Sequence, residues 1–115
     1  YGNGLYLSLK AKEEIEAKIK KSIQIVDMRW LSEINVKNLL NVIGDSQNIL
    51  IIDECRKSGS YGEGLFAELQ FACNKLSKLK LHASKDSFIP IGLGATSTLV
   101  SKESIIEAAI ELCNE

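Results

Sequence analysis

The chain has 115 residues, of which 45% are hydrophobic and 25% are charged, and its formal net charge is −1. This length allows one domain with a modest core, and the composition is that of a globular protein rather than a disordered one. The balanced charge argues against a nucleic-acid-binding surface, and no apolar run approaches the roughly 20 residues of a membrane span.

Three cysteines and a single histidine limit the chemistry that the chain can carry. Cys55, Cys73 and Cys113 are widely spaced and form no CxxC pair. This pattern favours reduced, packed thiols over a disulfide framework or a zinc site. It also favours a cytoplasmic (bacterial) location, with an organelle as the alternative. His82, the only histidine, alternates with apolar neighbours, which predicts a partly exposed structural role.

The first part of the chain predicts a helix, a strand and a second helix. The apolar face of the first helix consists of Leu5, Leu9, Ala11, Ile15 and Ile19. IQIVD, residues Ile23–Asp27, is a short β-rich run. Asn35 is placed to cap the second helix and Gly44 to end it. The apolar face of that helix consists of Val36, Leu39, Leu40 and Ile43.

The second part predicts two further strands and two helices. NILIID, residues Asn48–Asp53, is almost all apolar, as expected of a strand covered on both faces. LKLHA, residues Leu79–Ala83, alternates like a strand, and Ser101 is placed to cap the last helix. The apolar stripes of the two helices consist of Leu65, Leu69, Ala72, Cys73 and Leu76, and of Ile105, Ile106, Ala109, Ile110 and Cys113.

Alternating helices and strands of these lengths predict an α/β domain with a mainly parallel sheet that is covered by helices on both sides. The chain opens with YGNG, which is typical of the turn after a strand, and it begins with Tyr1 rather than methionine. We therefore expect residues 1–115 to be a single domain from a larger enzyme chain, with its first strand truncated.

A glycine-rich turn, DECRKSGSYGEGLFAEL from Asp53 to Leu69, separates the second predicted strand from the next helix. A strand-to-helix turn can bind a phosphate through free N–H groups. Here Gly59, Gly62 and Gly64 read GxxGxG rather than GxGxxG, and no P-loop lysine follows. The spacing favours a structural or interface role, with Gly59 and Gly62 permitting positive φ and close backbone approach.

Charged residues follow two predicted strands, at the edge where α/β proteins usually bind ligands. Asp27 and Arg29 flank the end of one strand, and Asp53, Glu54 and Arg56 flank the end of the next. Two interpretations stay open: a charged rim that faces a neighbouring domain, or a local salt-bridge network. The only tryptophan, next to Arg29, is either an interface anchor or a core residue.

Five segments in order, YGNGLYLSL, IVDMRWL, LIIDECRKSGSYGEGL, DSFIPIGLGA and LVSKESIIEAA, carry a resemblance. Together they resemble the C-terminal domain of the β part of thiamine-diphosphate-dependent 2-oxo acid dehydrogenases, the decarboxylating components of the pyruvate and branched-chain complexes. The same fold closes transketolase and deoxyxylulose-phosphate synthase. The resemblance implies a three-layer α/β/α sandwich with a mixed, mostly parallel sheet.

The resemblance also implies a role without chemistry of its own. In these oxidoreductases the α part and the preceding domain of the β part hold thiamine diphosphate, magnesium and the catalytic histidines. We therefore expect no catalytic, cofactor-binding or metal residue in this chain. The domain packs against the α part and other β copies, and the expected interface residues are Asp27, Arg29, Trp30, Glu54, Arg56, Gly59 and Gly62.

The chain departs from the family pattern at two places. Ser60 stands where a second glycine is common, and Asp53-Glu54 stands where many members carry His-Glu. Any role of that histidine is therefore not carried over to this chain.

A stripe of glutamates runs along the last predicted helix at four-residue intervals. Like charges at this spacing oppose one another by about 0.2–0.5 kcal/mol per pair, and a basic partner would relieve them. The resemblance implies such a partner, the basic subunit-binding domain of the dihydrolipoyl acyltransferase; the alternative is a solvated face. The stripe consists of Glu103, Glu107, Glu111 and Glu115.

Two other functions stay open at this point. One is the corresponding domain of a transketolase or deoxyxylulose-phosphate synthase, which has no lipoyl partner. The other is a free-standing flavodoxin-like module that binds its own small ligand.

Overall fold

The structure, a computed structural model, describes residues 1–46, 48–72 and 78–114. In these ranges no helix is long and apolar enough to cross a membrane. The predicted order of the helices and of the last two strands is confirmed. The elements are α1 (Gly2–Ile19), α2 (Val36–Ile43), β1 (Asn48–Arg56), α3 (Tyr61–Ala72), β2 (Lys78–Ser84), a 3-10 turn (Gly92–Ser97) and α4 (Lys102–Asn114).

The sheet of the described residues consists of β1 and β2, which pair in parallel with α3 as the crossover. Asn48 lies opposite Lys78 and Asp53 opposite Ala83, and the register is interrupted after Asp53. Parallel neighbours need a crossover connection of this kind because a tight hairpin cannot join them. The α/β class predicted from the sequence is therefore confirmed.

Helices cover both faces of this sheet and form two cores. Successive side chains of a strand point to opposite faces, so β1 places Ile52 against the first core and Ile51 in the second. The first core, on the side of α1 and α4, consists of Ala11, Ile15, Val100, Ile105 and Ile106. The second core, on the side of α2 and α3, consists of Leu39, Ile51, Leu65 and Leu69.

The strand predicted over Ile23–Asp27 is wrong, because residues 22–30 form no regular element. The Glu16 carboxylate accepts hydrogen bonds from the Ile23 N–H at 2.8 Å and from the Ser22 hydroxyl at 3.2 Å. These bonds tie the start of the segment to α1. A β-rich sequence becomes a strand only where a partner strand is within reach.

A cavity of about 550 Å³ lies between residues 22–28, called the 22–28 segment below, and β1. Its lining includes Ile25 and Val26 on one side and Ile49–Ile52 on the other.

Local capping follows the sequence-based expectation. The Asn35 carboxamide oxygen accepts a hydrogen bond from the Asn38 N–H at 3.0 Å, and the Ser101 hydroxyl accepts one from the Ser104 N–H at 3.1 Å. Gly44 ends α2 at φ 58°, a conformation that suits glycine. All three boundary residues predicted from the sequence are confirmed.

The predicted apolar faces of three helices need correction. Leu9 is 55% exposed, and Leu7 packs on the first core instead, four residues before Ala11. On α4 the predicted Ala109, Ile110 and Cys113 are half-buried, whereas Ala108 and Leu112 are buried. On α3, Ala72 is exposed, and Cys73 and Leu76 lie outside the described residues.

Leu69→Ala is expected to destabilise the protein by about 2–5 kcal/mol, because Leu69 is 1% exposed in the second core and its truncation leaves a void. The matched control, Leu9→Ala, makes the same chemical change on an exposed surface and should stay within about 0.5 kcal/mol. Urea denaturation followed by circular dichroism measures both; equal losses would contradict the assignment of the cores.

Candidate functional site

A fully buried carboxylate, Asp53, lies at the carboxyl end of β1. Its Oδ1 accepts hydrogen bonds from the Tyr1 hydroxyl at 2.5 Å and the Cys55 N–H at 2.8 Å, and its Oδ2 accepts one from the Gly62 N–H at 2.8 Å. These bonds join Tyr1, which precedes α1, to the end of β1 and the first turn of α3. The sequence had suggested an exposed rim or a salt bridge, and both are wrong for Asp53.

Hydrogen bonding keeps this buried group ionised. Burial on its own would raise the pKa of Asp53, but the bonds from Tyr1, Cys55 and Gly62 outweigh it and hold the pKa below the usual value. Burial and the hydrogen bond to Asp53 also raise the pKa of the Tyr1 hydroxyl. Tyr1 is therefore a neutral donor to a charged acceptor at physiological pH.

Two positions of the turn require glycine, one because there is no room for a side chain and the other because its φ is positive. A Cβ on Gly62 would lie 2.7 Å from Asp53 Oδ2 and 2.9 Å from Leu81 Cδ1, which is too close for either contact. Gly59 adopts φ +71°, in the region that favours glycine. The expected positive φ and close approach are thus found at Gly59 and Gly62 respectively.

Side chains of this chain occupy the N–H groups at the start of α3. The Ser60 hydroxyl accepts a hydrogen bond from the Glu63 N–H at 3.1 Å, and Glu63 Oε2 accepts one from the Gly59 N–H at 2.7 Å. This arrangement is close to a capping box. The Gly62 N–H in turn donates to the Asp53 carboxylate. The N–H groups that could bind a phosphate at a helix N-terminus are therefore already bound to two carboxylates and a hydroxyl.

Glu54 joins the end of β1 to two other parts of the domain. Its Oε1 accepts a hydrogen bond from the Asn3 N–H at 3.2 Å. Its carbonyl accepts one from the Ser84 hydroxyl at 2.7 Å, and that hydroxyl in turn accepts one from the Val100 N–H at 3.2 Å. Glu54 therefore contacts α1 and β2 rather than projecting freely.

Arg56 lies beside a second connection, between the glycine turn and the loop after β2. The Ser58 N–H and hydroxyl donate to the Asp86 carboxylate at 2.8 and 2.6 Å, and Arg56 Nε donates to the Ser58 carbonyl at 3.1 Å. Arg56 is exposed, so its guanidinium stabilises the turn and also faces solvent.

The other predicted edge residues, Asp27, Arg29 and Trp30, lie around the end of the 22–28 segment. Arg29 Nε lies 3.2 Å from Asp27 Oδ2, and Asp27 Oδ1 lies 3.9 Å from the Tyr1 nitrogen. Asp27 and Asp53 both lie near Tyr1, so the two predicted groups lie at one edge. Trp30 is 81% exposed, so its interpretation as a core residue is wrong.

The glutamate stripe lies on the solvent face of α4, where Glu103, Glu107 and Glu111 are exposed. Glu111 forms an ion pair with Lys80 of β2, which offsets part of the repulsion along the stripe. Glu115 lies outside the described residues.

His82 connects β2 to α4 through a 2.8 Å contact between its Nε2 and the Ser104 hydroxyl. It is half-buried, and burial and then the nearby Lys80 lower its pKa, with Glu107 opposing them. This agrees with the structural role predicted for His82. In the described ranges, no group of three or more His, Cys, Asp or Glu side chains is placed to hold a metal ion.

The packing predicted for the cysteines holds in part. Cys55 is exposed, which contradicts the prediction; it lies in the irregularity of the β1–β2 register between Asp53 and Arg56. Cys113 is half-buried, and Cys73 lies outside the described residues.

The segment Phe88–Leu93 is apolar and exposed, and its exposure was not predicted from the sequence. Phe88 is 99%, Ile91 100% and Leu93 91% exposed. Exposed contiguous apolar surface often marks a binding site. The alternation of apolar residues around Pro90 was the available signal, but a sequence alone does not tell an exposed apolar loop from a buried one.

Asp53→Asn is expected to destabilise the protein by about 2–3 kcal/mol. The asparagine side chain has an NH2 group in place of one accepting oxygen. This donor would face either the Gly62 N–H or the donors of Tyr1 and Cys55, and two donors cannot form a hydrogen bond with each other. Asp45→Asn, the same change at an exposed position, should stay within about 0.5 kcal/mol. Equal denaturation midpoints for the two variants would refute the importance of the carboxylate.

The pH dependence of stability should carry the signature of Asp53. Its folded pKa lies below that of the unfolded chain, about 3.9, so the unfolded state binds more protons as the pH falls below about 4. The contribution of Asp53 is therefore present above that value and lost as the pH falls through the folded pKa. The free energy of unfolding of Asp53→Asn should fall less steeply there than that of the unaltered chain; parallel curves would contradict this.

Comparison with known families gives a match over most of the chain. The family described as "Transketolase, C-terminal domain" matches residues 1–84, which is more than two thirds of the chain. A search among curated proteins gave no match. Domains of this family are found in thiamine-diphosphate-dependent enzymes. The chain therefore belongs to the family of transketolase C-terminal domains.

Proposed function

We propose that this chain is the non-catalytic C-terminal domain of a thiamine-diphosphate-dependent 2-oxo acid dehydrogenase and that its task is subunit assembly. The parent enzyme would decarboxylate a 2-oxo acid oxidatively and transfer the acyl group to lipoamide. The family match supports the broader group, which also includes transketolase. The choice within that group rests on the motifs IVDMRWL and DSFIP.

The observation that carries the proposal is the exposure of apolar side chains in those two motifs. Trp30 is 81% exposed, Phe88 99% and Ile91, next to the second motif, 100%. Large apolar side chains held in water are disfavoured unless a partner covers them, and tryptophan is enriched where interfaces are strongest. In this proposal the α part and other β copies cover them.

The expected interface residues divide into two roles under this proposal. Arg29, Trp30 and Arg56 are exposed and contact the neighbouring subunit directly. Asp27 is half-buried and orients Arg29 through their 3.2 Å contact.

Glu54, Gly59 and Gly62 act indirectly. Glu54 holds the start of α1 through Asn3. Gly59 and Gly62 allow the turn before α3 to fold closely over Asp53. The three residues set the shape of the edge that the partner meets.

The residues at the carboxyl edge do not fit a thiamine diphosphate site. The N–H groups at the start of α3 bind the carboxylates of Asp53 and Glu63, and a diphosphate would be repelled by those charges. In this proposal the α part and the preceding domain of the β part bind thiamine diphosphate and magnesium.

The double variant Phe88→Ser/Ile91→Ser should lose binding to the α part while keeping its stability. Both side chains are almost fully exposed, so their loss leaves the cores intact. The measurement is co-elution with the α part of a 2-oxo acid dehydrogenase, by size-exclusion chromatography with light scattering. The control is Tyr6→Ser/Val42→Ser, which removes two other exposed apolar side chains. Failure of the unaltered chain to co-elute, or equal co-elution of both double variants, would refute the proposed interface.

The proposal extends to docking of the dihydrolipoyl acyltransferase on the glutamate stripe. Glu103→Gln/Glu107→Gln should weaken binding of its basic subunit-binding domain, and binding to the unaltered chain should weaken with added salt. Glu111 is left unaltered because it pairs with Lys80. Isothermal titration calorimetry measures the effect, and Glu13→Gln/Glu33→Gln, two exposed carboxylates elsewhere, is the matched control. Equal affinities of the two double variants would count against docking at α4.

A further inference from the structure

The exposed apolar segment Phe88–Leu93, called the 88–93 loop below, is folded on itself although its side chains lie outside both cores. The chain on its two sides is joined where the Lys85 N–H donates to the Thr98 carbonyl at 3.1 Å. A Cβ on Gly94 would lie 3.0 Å from Pro90 Cβ, so the proline ring packs closely against the backbone at Gly94. The loop is therefore closed by an internal contact as well as by its anchored ends.

Side-chain hydrogen bonds stabilise the 3-10 turn Gly92–Ser97 at the end of this loop. The Thr96 hydroxyl donates to the Leu93 carbonyl at 2.7 Å, and the Ser97 hydroxyl donates to the Gly94 carbonyl at 2.8 Å. Local bonds of this kind give the backbone a defined non-helical conformation. All of them are made within the chain, so the conformation of the loop does not depend on a partner.

Gly92 joins two different backbone conformations in the loop. Ile91 before it is extended, with φ −81° and ψ 147°, and the 3-10 turn begins at Gly92 itself. Gly92 adopts φ +70°, in the left-handed region that favours glycine. A Cβ at this position would meet no atom within 4 Å. Any other L-residue here would therefore be opposed by backbone strain and not by a clash.

The exposure of the loop constrains the shape of the surface that covers it. Phe88, Ile91 and Leu93 are more than nine-tenths exposed on a backbone that is closed by its own contacts. Such a loop projects from the domain, so a flat partner surface would cover only one of its sides. A concave apolar surface would cover it fully, as the pockets at the centres of protein interfaces do.

We propose that Gly92 holds the 88–93 loop in a preformed shape that inserts into a concave apolar pocket of the α part. This inference rests on the assembly role proposed above, to which it adds a positioning residue and the shape of the partner. A preformed loop loses little conformational entropy on binding. If the binding shape were only one-tenth populated, the apparent affinity would fall about tenfold. Gly92 acts on this population and need not touch the partner.

The first measurement is ¹⁵N relaxation of the free chain by NMR, which gives order parameters for the Ile89, Ile91 and Leu93 amides. In the unaltered chain we expect values near that of rigid backbone, about 0.85, rather than values below about 0.6 as in flexible segments. Gly92→Ala should lower them, because L-alanine disfavours φ +70°. Gly92→Asn should retain most of the order, because asparagine tolerates the left-handed region.

The second measurement is the affinity for the α part of a 2-oxo acid dehydrogenase, by surface plasmon resonance. Gly92→Ala should bind about tenfold more weakly than the unaltered chain, and Gly92→Asn should stay within about threefold of it. The matched control is Gly44→Ala, since Gly44 also has a positive φ, +58°, and no atom within 4 Å of an added Cβ, but ends α2. This control should stay within about twofold. Denaturation midpoints show whether each variant folds.

Two outcomes would overturn the inference and leave the proposed assembly standing. One is order parameters below about 0.6 for the loop of the unaltered chain. The other is equal affinities of Gly92→Ala and Gly44→Ala for the α part. If the unaltered chain does not bind the α part, the proposed assembly fails and insertion into that subunit fails with it. The order parameters of the free chain then still decide whether Gly92 fixes the loop.

Discussion

The Asp53 carboxylate holds the carboxyl edge of the sheet together, because donors from Tyr1, the end of β1 and the start of α3 converge on it. A buried charge costs several kcal/mol unless hydrogen bonds replace its water. The Tyr1 hydroxyl and the N–H groups of Cys55 and Gly62 take the place of that water. If any of them moved away, the desolvation cost of the carboxylate would no longer be offset. The start of α1, the end of β1 and the start of α3 are therefore fixed relative to one another.

The same geometry explains the turn that resembles a phosphate-binding loop. A glycine at position 62 lets the backbone approach an anion, and the start of α3 presents free N–H groups to it. In this chain the anion is the Asp53 side chain from the preceding strand. The physical principle is that of a nucleotide site, but the charge is internal, so the interaction stabilises the fold.

Much of the fold could be predicted because it depends on residues close together in the sequence. The features that depend on contacts between distant residues could not be predicted. The caps at Asn35 and Ser101 act over three residues, so the sequence displays them directly. The Tyr1–Asp53 bond spans 52 residues, and no periodicity reports it. The 22–28 segment is β-rich, but a strand also needs a partner, and here the Glu16 carboxylate binds the Ile23 N–H instead. Leu9 and Leu7 are both apolar, and only packing against α4 decides that Leu7 turns inward.

The interactions that stabilise the domain lie apart from the apolar surface that it exposes. The loop with Phe88–Leu93 is fixed at its two ends, where the Lys85 N–H donates to the Thr98 carbonyl at 3.1 Å and Asp86 accepts from Ser58. Between these anchors the apolar side chains are held in water instead of folding onto a core. A loop ordered in advance loses less conformational entropy when a partner covers it. In the proposed assembly, the hydrogen bonds at Lys85 and Asp86 would therefore favour association as well as folding, without either residue contacting the partner.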